Sequence, residues 1–290
     1  MGLCRSLLHR MGFNHRASLC LAVVLGIVAF TAGSGDAQAQ ESRLDAILKR
    51  DKLVVAVSNS TMPTGFIDEN GTHTGFEIEF ARLLAKSILG SPDKIEFVVV
   101  NAAGRFPAVL SGRVDFGIAS ATIYPDRAVR LAFTQPYMDS TTFVVVPKDS
   151  AIKKTEDLDS ADVTFGASNT AAMIDRAKRY APRAKAMYFD TDSAAFQALK
   201  SRRVSAVQAD SAAAEFQVAH SNGAWVKLPG QLGSLNGNAL FIKPGDFQLW
   251  LCLDTIVGEY THGSRFDEYE ALYRKWFGAD PPPARFYSAK

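Results

Sequence analysis

Short apolar runs alternate with longer amphipathic stretches along almost the whole chain, and the alternation restarts near residue 160. Leu53-Val54-Val55-Ala56-Val57 is the first such run after a helical stretch at 43–49, and it reads as a buried strand. In the segment from Gly75 to Leu84, Phe76, Phe80, Leu83 and Leu84 share one helical face. Strands are predicted next at 95–100, 114–119 and 141–147. Between them lie helices at 105–110 and from Pro125, a residue suited to a first helical turn. The second round has strands at 163–167, 186–189 and 204–208, with helices at 171–179, 193–199 and 211–220. A last strand at 239–242 precedes helical patterns at 247–261 and 266–277, and Pro281-Pro282-Pro283 ends helical character.

Strands that alternate with helices imply an α/β fold of mainly parallel sheets flanked by helices. Two such units joined by extended segments predict two lobes with a cleft between them. The crossings are expected at Lys148–Ala151 and Gly237–Lys243. That assigns 40–147 and 238–290 to lobe 1 and 148–237 to lobe 2. Open sheets of this kind bind ligands beyond the carboxyl ends of their strands. The loop after the first strand, Val57-Ser58-Asn59-Ser60-Thr61-Met62-Pro63-Thr64-Gly65-Phe66, lies at such a place.

Residues 1–39 read as a cleaved export signal. Arg5, His9, Arg10, His15 and Arg16 form a basic start, Ala17–Ala32 is apolar, and Ala37-Gln38-Ala39 is a small-x-small cleavage site. The apolar run is short for a membrane span. Loss of Arg5, Arg10, Arg16 and Asp36 takes the formal net charge of the chain from +2 to zero. A balanced charge gives no support to nucleic-acid or anionic-membrane binding. Of three cysteines, Cys4 and Cys20 leave with the signal, and Cys252 sits in an apolar helical pattern as a buried thiol. The full sequence is 47% apolar, and with no possible internal disulfide the exported part must rely on its core.

The chain contains no GxxxxGK[ST], HExxH, CxxC or GxSxG motif. His73, His220 and His262 lack ligand spacing, so neither a metal nor another cofactor is expected, and no catalytic residue is assigned. Three strand ends carry polar groups instead. At Ser120-Ala121-Thr122-Ile123-Tyr124-Pro125-Asp126-Arg127, hydroxyls and N–H groups at a helix start can hold an anion, and Arg127 can grip a carboxylate. A solvated Arg127 paired with Asp126 is the plainer alternative. At Ser168-Asn169-Thr170, Asn169 can take positive φ and Thr170 can cap a helix. Asp210 ends a strand and begins a helix, so it too has a capping alternative. Together, a cation on one lobe and an anion on the other suit a bridging zwitterion. Its carboxylate would meet Arg127, Ser120, Thr122 and the Thr170 N–H, and its ammonium would meet Asp210. Burying either charge unpaired is costly, so binding and closure are expected to be coupled.

Several segments resemble the type II periplasmic solute-binding proteins of family 3, the polar amino-acid class. They are Gly75-Phe76-Glu77-Ile78-Glu79-Phe80-Ala81, Arg105-Phe106-Pro107-Ala108-Val109-Leu110 through Asp115, Thr122-Ile123-Tyr124-Pro125-Asp126-Arg127-Ala128 with Phe133-Thr134-Gln135-Pro136-Tyr137, and Lys275-Trp276-Phe277-Gly278. Their order and spacing cover the exported chain. The resemblance implies a periplasmic, monomeric binding protein that closes two lobes on an amino acid and delivers it to an ABC-type inner-membrane permease. It further implies that Arg127 holds the α-carboxylate with help from Ser120 and Thr122, that Thr170 adds contacts, and that Asp210 holds the α-ammonium.

The chain departs from that pattern in two places. The family's first loop usually carries an acidic residue and rings, where Ser58, Thr61 and Thr64 stand here; the second-lobe Gly-Thr-Thr turn reads Asn169-Thr170-Ala171. Thr61 and Thr64 are therefore expected to face the ligand's side chain with hydrogen bonds or room, unless Phe66 turns inward to supply a ring. Two other functions compete. One is a periplasmic lyase on the same fold, like the cyclohexadienyl dehydratases, with Glu77, Glu79 or Asp126 as acid. The other is a binding partner of a periplasmic enzyme or sensor with a degraded pocket, which the ring-less loop favours.

Overall fold

A computed structural model describes residues 41–281, so the signal expected over 1–39 lies outside the described residues. In chain order the first elements are α1 (Arg43–Arg50), β1 (Leu53–Val57), β2 (Ser60–Thr61), β3 (Gly65–Ile67), β4 (His73–Thr74), α2 (Phe76–Leu89), β5 (Ile95–Val99), α3 (Arg105–Leu110), β6 (Phe116–Ile118), α4 (Pro125–Ala128) and β7 (Ala132–Ser140). There follow β8 (Thr142–Pro147), a 3-10 turn (Thr155–Leu158), β9 (Thr164–Ser168), α5 (Ala171–Tyr180), β10 (Lys185–Phe189), α6 (Asp192–Lys200), β11 (Ala206–Asp210) and α7 (Ser211–Ala219). The last are β12 (Trp225–Lys227), β13 (Asn236–Ile242), α8 (Phe247–Thr261) and α9 (Phe266–Phe277).

Two five-stranded sheets share one plan. The first runs β5-β1-β6-β13-β7 and the second β10-β9-β11-β8-β12. In the first, β1 lies parallel to β5 and β6, while β13 runs antiparallel to β6 and β7. In the second, β9 lies parallel to β10 and β11, while β8 runs antiparallel to β11 and β12. Each sheet is thus parallel over three strands, followed at one edge by one reversed strand and a last strand antiparallel to it. Both belong to a single compact unit that begins at Ser42. A small third sheet, β2-β3-β4, is built from the loop after β1.

The crossings fall elsewhere than expected. Only Thr141 separates β7 in the first sheet from β8 in the second, so 142–147 pairs with the second sheet and the chain has already crossed before Lys148–Ala151. An apolar run carries no mark of which sheet it joins, and no turn residue interrupts it. The return crossing precedes β13, because Asn236 through Ile242 already pair with β7. Three features escaped the hydropathy pattern: β7, β12 and the small sheet. In β7, Thr134, Gln135, Pro136 and Asp139 break the apolar rhythm, and the strand lies at the sheet edge, where proline is tolerated.

Apolar side chains cover both faces of each sheet. On one face of the first, Phe76, Phe80, Tyr137, Tyr260 and Tyr269 pack where α2, α8 and α9 meet the strands; on the other lie Ala56, Val100, Val109 and Phe241. Buried Asp115 fastens α1 to this sheet: it accepts from Arg43 Nε at 2.6 Å, Arg50 Nη2 at 2.5 Å and the Val54 N–H at 2.7 Å. The β2–β3 loop docks on the start of α2, where the Phe76 and Glu77 N–H groups donate to the Pro63 and Thr64 carbonyls. Gly75 joins them with φ 129°, and a Cβ there would stand 2.4 Å from the Thr64 carbonyl oxygen, so only glycine fits.

Candidate functional site

Strand ends of both sheets meet around one cleft. The lobe of the first sheet lines it with Ser58, Ser60, Thr61, Asn101, Arg105, Ser120, Thr122, Tyr124 and Arg127. The lobe of the second sheet lines it with Ser168, Thr170, Met173, Arg176, Asp190, Thr191, Asp192 and Asp210. Among the described residues, three side-chain hydrogen bonds cross between the lobes. Thr61 Oγ1 donates to Asp192 Oδ2 at 3.2 Å, Ser193 Oγ to the Ser60 carbonyl at 2.6 Å, and Arg176 Nη2 to Tyr124 Oη at 2.9 Å.

Arg127 sits on the short helix α4 after the β6 strand end. One guanidinium nitrogen donates to the Thr122 carbonyl at 2.7 Å, and the group lies over the rings of Tyr124 at 4.7 Å and Phe106 at 5.3 Å. No carboxylate among the described residues forms an ion pair with it, so pairing with Asp126 does not account for its place. Burial, then the positive charge of Arg105, lowers its pKa to about 10, which leaves it cationic at neutral pH. A fixed cation held by rings and one carbonyl keeps donors free for an incoming carboxylate.

Asp210 closes β11 and occupies the N-cap position of α7, yet its side chain makes no cap hydrogen bond. The capping alternative therefore fails, and the carboxylate lines the cleft. Burial, then the negative charge of Asp192, raises its pKa to about 6, against the pull of Arg105, Arg176 and Arg127. An anion that lacks a direct cationic partner is suited to an arriving ammonium.

The floor beneath Arg127 is a buried network. Ser120 stands in the left-handed region at φ 49°, and its N–H and hydroxyl both reach Glu77 Oε1, at 2.7 and 3.0 Å. Tyr137 Oη donates to the same oxygen at 2.5 Å, while Glu77 Oε2 has no partner among the described residues. Burial raises the Glu77 pKa despite these bonds. Arg105 donates to the Ala119 and Ser120 carbonyls at 2.5 and 3.1 Å. The strand-to-helix turn is thus held from below, with the hydroxyl side of Ser120 directed partly at Glu77.

Of the residues singled out in sequence, Thr61, Ser120, Thr122, Arg127, Thr170 and Asp210 line the cleft. Thr64 and Asn169 do not. Thr64 is buried behind the wall, donates to the Thr61 carbonyl at 3.0 Å and shares a hydrogen bond with Ser120 Oγ at 3.1 Å. Asn169 is absent from the positive-φ residues and borders an adjoining cavity of about 270 Å³ beyond Arg127 and Phe106. The Thr170 N–H, expected to meet a carboxylate, donates to the Ser168 carbonyl at 2.8 Å, and the Thr170 hydroxyl caps α5 at the Met173 N–H. Thr122 is buried, with its hydroxyl donating to Asn238 Oδ1 at 3.0 Å, so it ties the turn to the returning strand β13. Phe66 stands edge-on to Trp276 at 5.8 Å and is not part of the cleft wall, so no ring comes from that loop.

Sequence reasoning missed Arg105, Tyr124, Arg176 and Asp192. Arg105 and Tyr124 lie inside the family-like segments 105–115 and 122–128, and that is the signal the sequence offers for them. Asp192 reads as an ordinary first helical residue after the Thr191 cap, and Arg176 as one more polar residue of an amphipathic helix. Of the carboxyls considered as lyase acids, Glu77 is buried beneath the turn, Glu79 pairs with Lys275 at 2.6 Å, and Asp126 borders the adjoining cavity; none lines the cleft.

A two-lobed α/β scaffold with a charged cleft at its strand ends is the architecture of the solute-binding proteins. Residues 53–279 match the bacterial extracellular solute-binding proteins, family 3, and the chain belongs to that family. The glutamine-binding protein GlnH of an ABC transporter in Bacillus subtilis is 28% identical over 264 residues, spanning 90% of this chain and 94% of the relative. The L-cystine-binding protein TcyJ of Escherichia coli is 26% identical, spanning 93% and 99%. Among solved structures, an ancestral amino acid-binding protein, a precursor of cyclohexadienyl dehydratase, superposes with a TM-score of 0.73 at 32% identity, covering 81% of this chain and all (100%) of that one. The cysteine-binding protein of Campylobacter jejuni gives 0.76 at 27% identity, covering 84% and 96%.

Proposed function

We propose that this protein is the periplasmic solute-binding component of an ABC-type uptake system and that it captures an α-amino acid or a related small zwitterion. The observation that carries this reading is the opposed pair in the cleft. Arg127 of one lobe and Asp210 of the other face the same space, and neither has an ion-pair partner of its own among the described residues. The α-carboxylate lies on Arg127 beside the Ser120 turn, and the α-ammonium on Asp210. Each charge is matched only when the lobes meet around the ligand, so binding drives closure, and the closed shape is what the permease receives. The names of the relatives, which bind glutamine, cystine and cysteine, agree with a zwitterionic ligand. The protein acts as a monomer and carries out no chemistry on its ligand; the names of the relatives, which are binding proteins, support that over a lyase.

The test is titration calorimetry of the exported chain against the L-amino acids. Arg127→Ala and Asp210→Ala should each weaken binding at least 100-fold while thermal unfolding stays cooperative. Unchanged affinity in both variants would overturn the assignment.

A further inference from the structure

The peptide unit between Ala119 and Ser120 is gripped at both ends by buried groups of opposite charge. Glu77, the second residue of α2, accepts the Ser120 N–H at 2.7 Å. Arg105, the first residue of α3, donates to the Ala119 carbonyl of the same peptide at 2.5 Å. Glu77 is fully enclosed and Arg105 is 8% exposed. Hydrogen bonds to ionised groups are stronger than neutral ones, and rotating this peptide would break both at once. Two further bonds steady the grip. The same Glu77 oxygen takes the Ser120 hydroxyl at 3.0 Å, and Arg105 also reaches the Ser120 carbonyl at 3.1 Å.

The grip falls on a residue that does not settle there unaided. Ser120 has φ 49°, in the left-handed region that side chains with a Cβ seldom occupy. Nor is a carboxyl the natural filling for this part of the core. Burial raises the Glu77 pKa, and its Oε2 has no partner among the described residues, so an apolar side chain would serve packing better. What the carboxyl supplies is an acceptor aimed at the turn. Ser120 lines the cleft, and two residues on, the Thr122 carbonyl holds the Arg127 guanidinium at 2.7 Å. Glu77 itself is not part of the cleft wall.

We infer that Glu77 is a positioning residue for ligand binding: acting through the Ser120 peptide, it fixes the turn that sets Ser120 and Arg127 against the α-carboxylate. This rests on the head-group assignment to Arg127 and Asp210. A turn held in place beforehand spares the ligand the cost of ordering it, so Glu77 contributes to affinity without touching the ligand.

Two measurements on the exported chain test this. Calorimetry uses whichever L-amino acid the wild type binds most tightly. Hydrogen exchange follows the Ser120 amide without ligand. In Glu77→Ala, affinity should fall at least about tenfold, and the Ser120 amide should exchange at least about tenfold faster, while the amides of β9 in the other lobe keep their wild-type rates. Glu77→Gln offers Oε1 to the same donors and should restore both to within about threefold. Unchanged affinity or an unchanged Ser120 rate in a Glu77→Ala variant that unfolds cooperatively overturns the positioning role and leaves the head-group reading standing. A loss in Glu77→Gln as large as in Glu77→Ala overturns it too. Binding of no L-amino acid by the wild type overturns the head-group reading and this inference with it. Should Glu77→Ala not fold, the wild type decides: a Ser120 amide as slow as those of β6 supports the grip, and exchange at the rate of an open turn overturns it.

Discussion

Asp210 shows how one residue couples the cleft to pH. Its carboxyl titrates near 6, raised chiefly by burial and then by Asp192. The α-ammonium of a ligand stays charged across this range, so binding requires the ionised carboxylate. Affinity should be level above about pH 7 and fall toward tenfold per pH unit below about 6. Titration at pH 5 and 7.5 measures it, and equal affinities would refute the ammonium assignment. The same shift bears on folding with the opposite sense. The native carboxyl holds its proton between the unfolded value near 4 and about 6, so the native state binds more protons there and the ligand-free protein loses stability as pH rises through that window. Asp210→Asn should flatten this slope in a denaturation series. Arg127 and Asp210 were legible in the sequence because each follows an apolar strand at a helix start, where ligand groups gather. Asp192 was not: its partner across the cleft, Thr61, is 131 residues away in sequence, and no local pattern reports such a contact.

Among the elements, the helices were the most legible and the edge strands the least. The limits of α8 and α9 follow from the apolar periodicity, and local signals match them: Asp246 caps α8 at the Leu249 N–H, and Gly278 ends α9 in the left-handed conformation. The β2–β3–β4 sheet is held chiefly by docking against α2, so its short strands carry no periodicity of their own. The attachment of α1 to the first sheet depends on Asp115. Its side chain is wholly enclosed, while Arg43 and Arg50 remain about a third exposed, at 36% and 35%. Removing the carboxylate lets both arginines return partly to water but strips the Val54 N–H and the α1 contact of their acceptor. Asp115→Ala should therefore cost about 2–4 kcal/mol, less than breaking a fully buried pair. Urea unfolding measures it; a loss below about 0.5 kcal/mol would mean that apolar packing of Ile47 alone holds α1.

For the whole molecule, the balance between the lobes sets the affinity. Thr141 alone links β7 to β8, and close to it Asn236 of the returning strand pairs with Ser140, so both connections are short and lie side by side. Such connections let two rigid sheets turn about a few residues. Against that freedom stand the bonds across the cleft from Thr61, Ser193 and Arg176. A net hydrogen bond contributes about 0.5–1.5 kcal/mol, so losing two can move the closed-to-open ratio by roughly tenfold. Apparent affinity scales with the population competent to bind. Ser193→Ala combined with Tyr124→Phe removes two of these bonds and keeps the ring beneath Arg127. The double variant should show a larger radius of gyration in small-angle scattering without ligand, bind up to about tenfold more weakly, and return to the wild-type dimensions at saturation. Wild-type scattering and affinity in the double variant would mean that the cross-cleft bonds only accompany closure, leaving the ligand's charges on Arg127 and Asp210 to hold the lobes together.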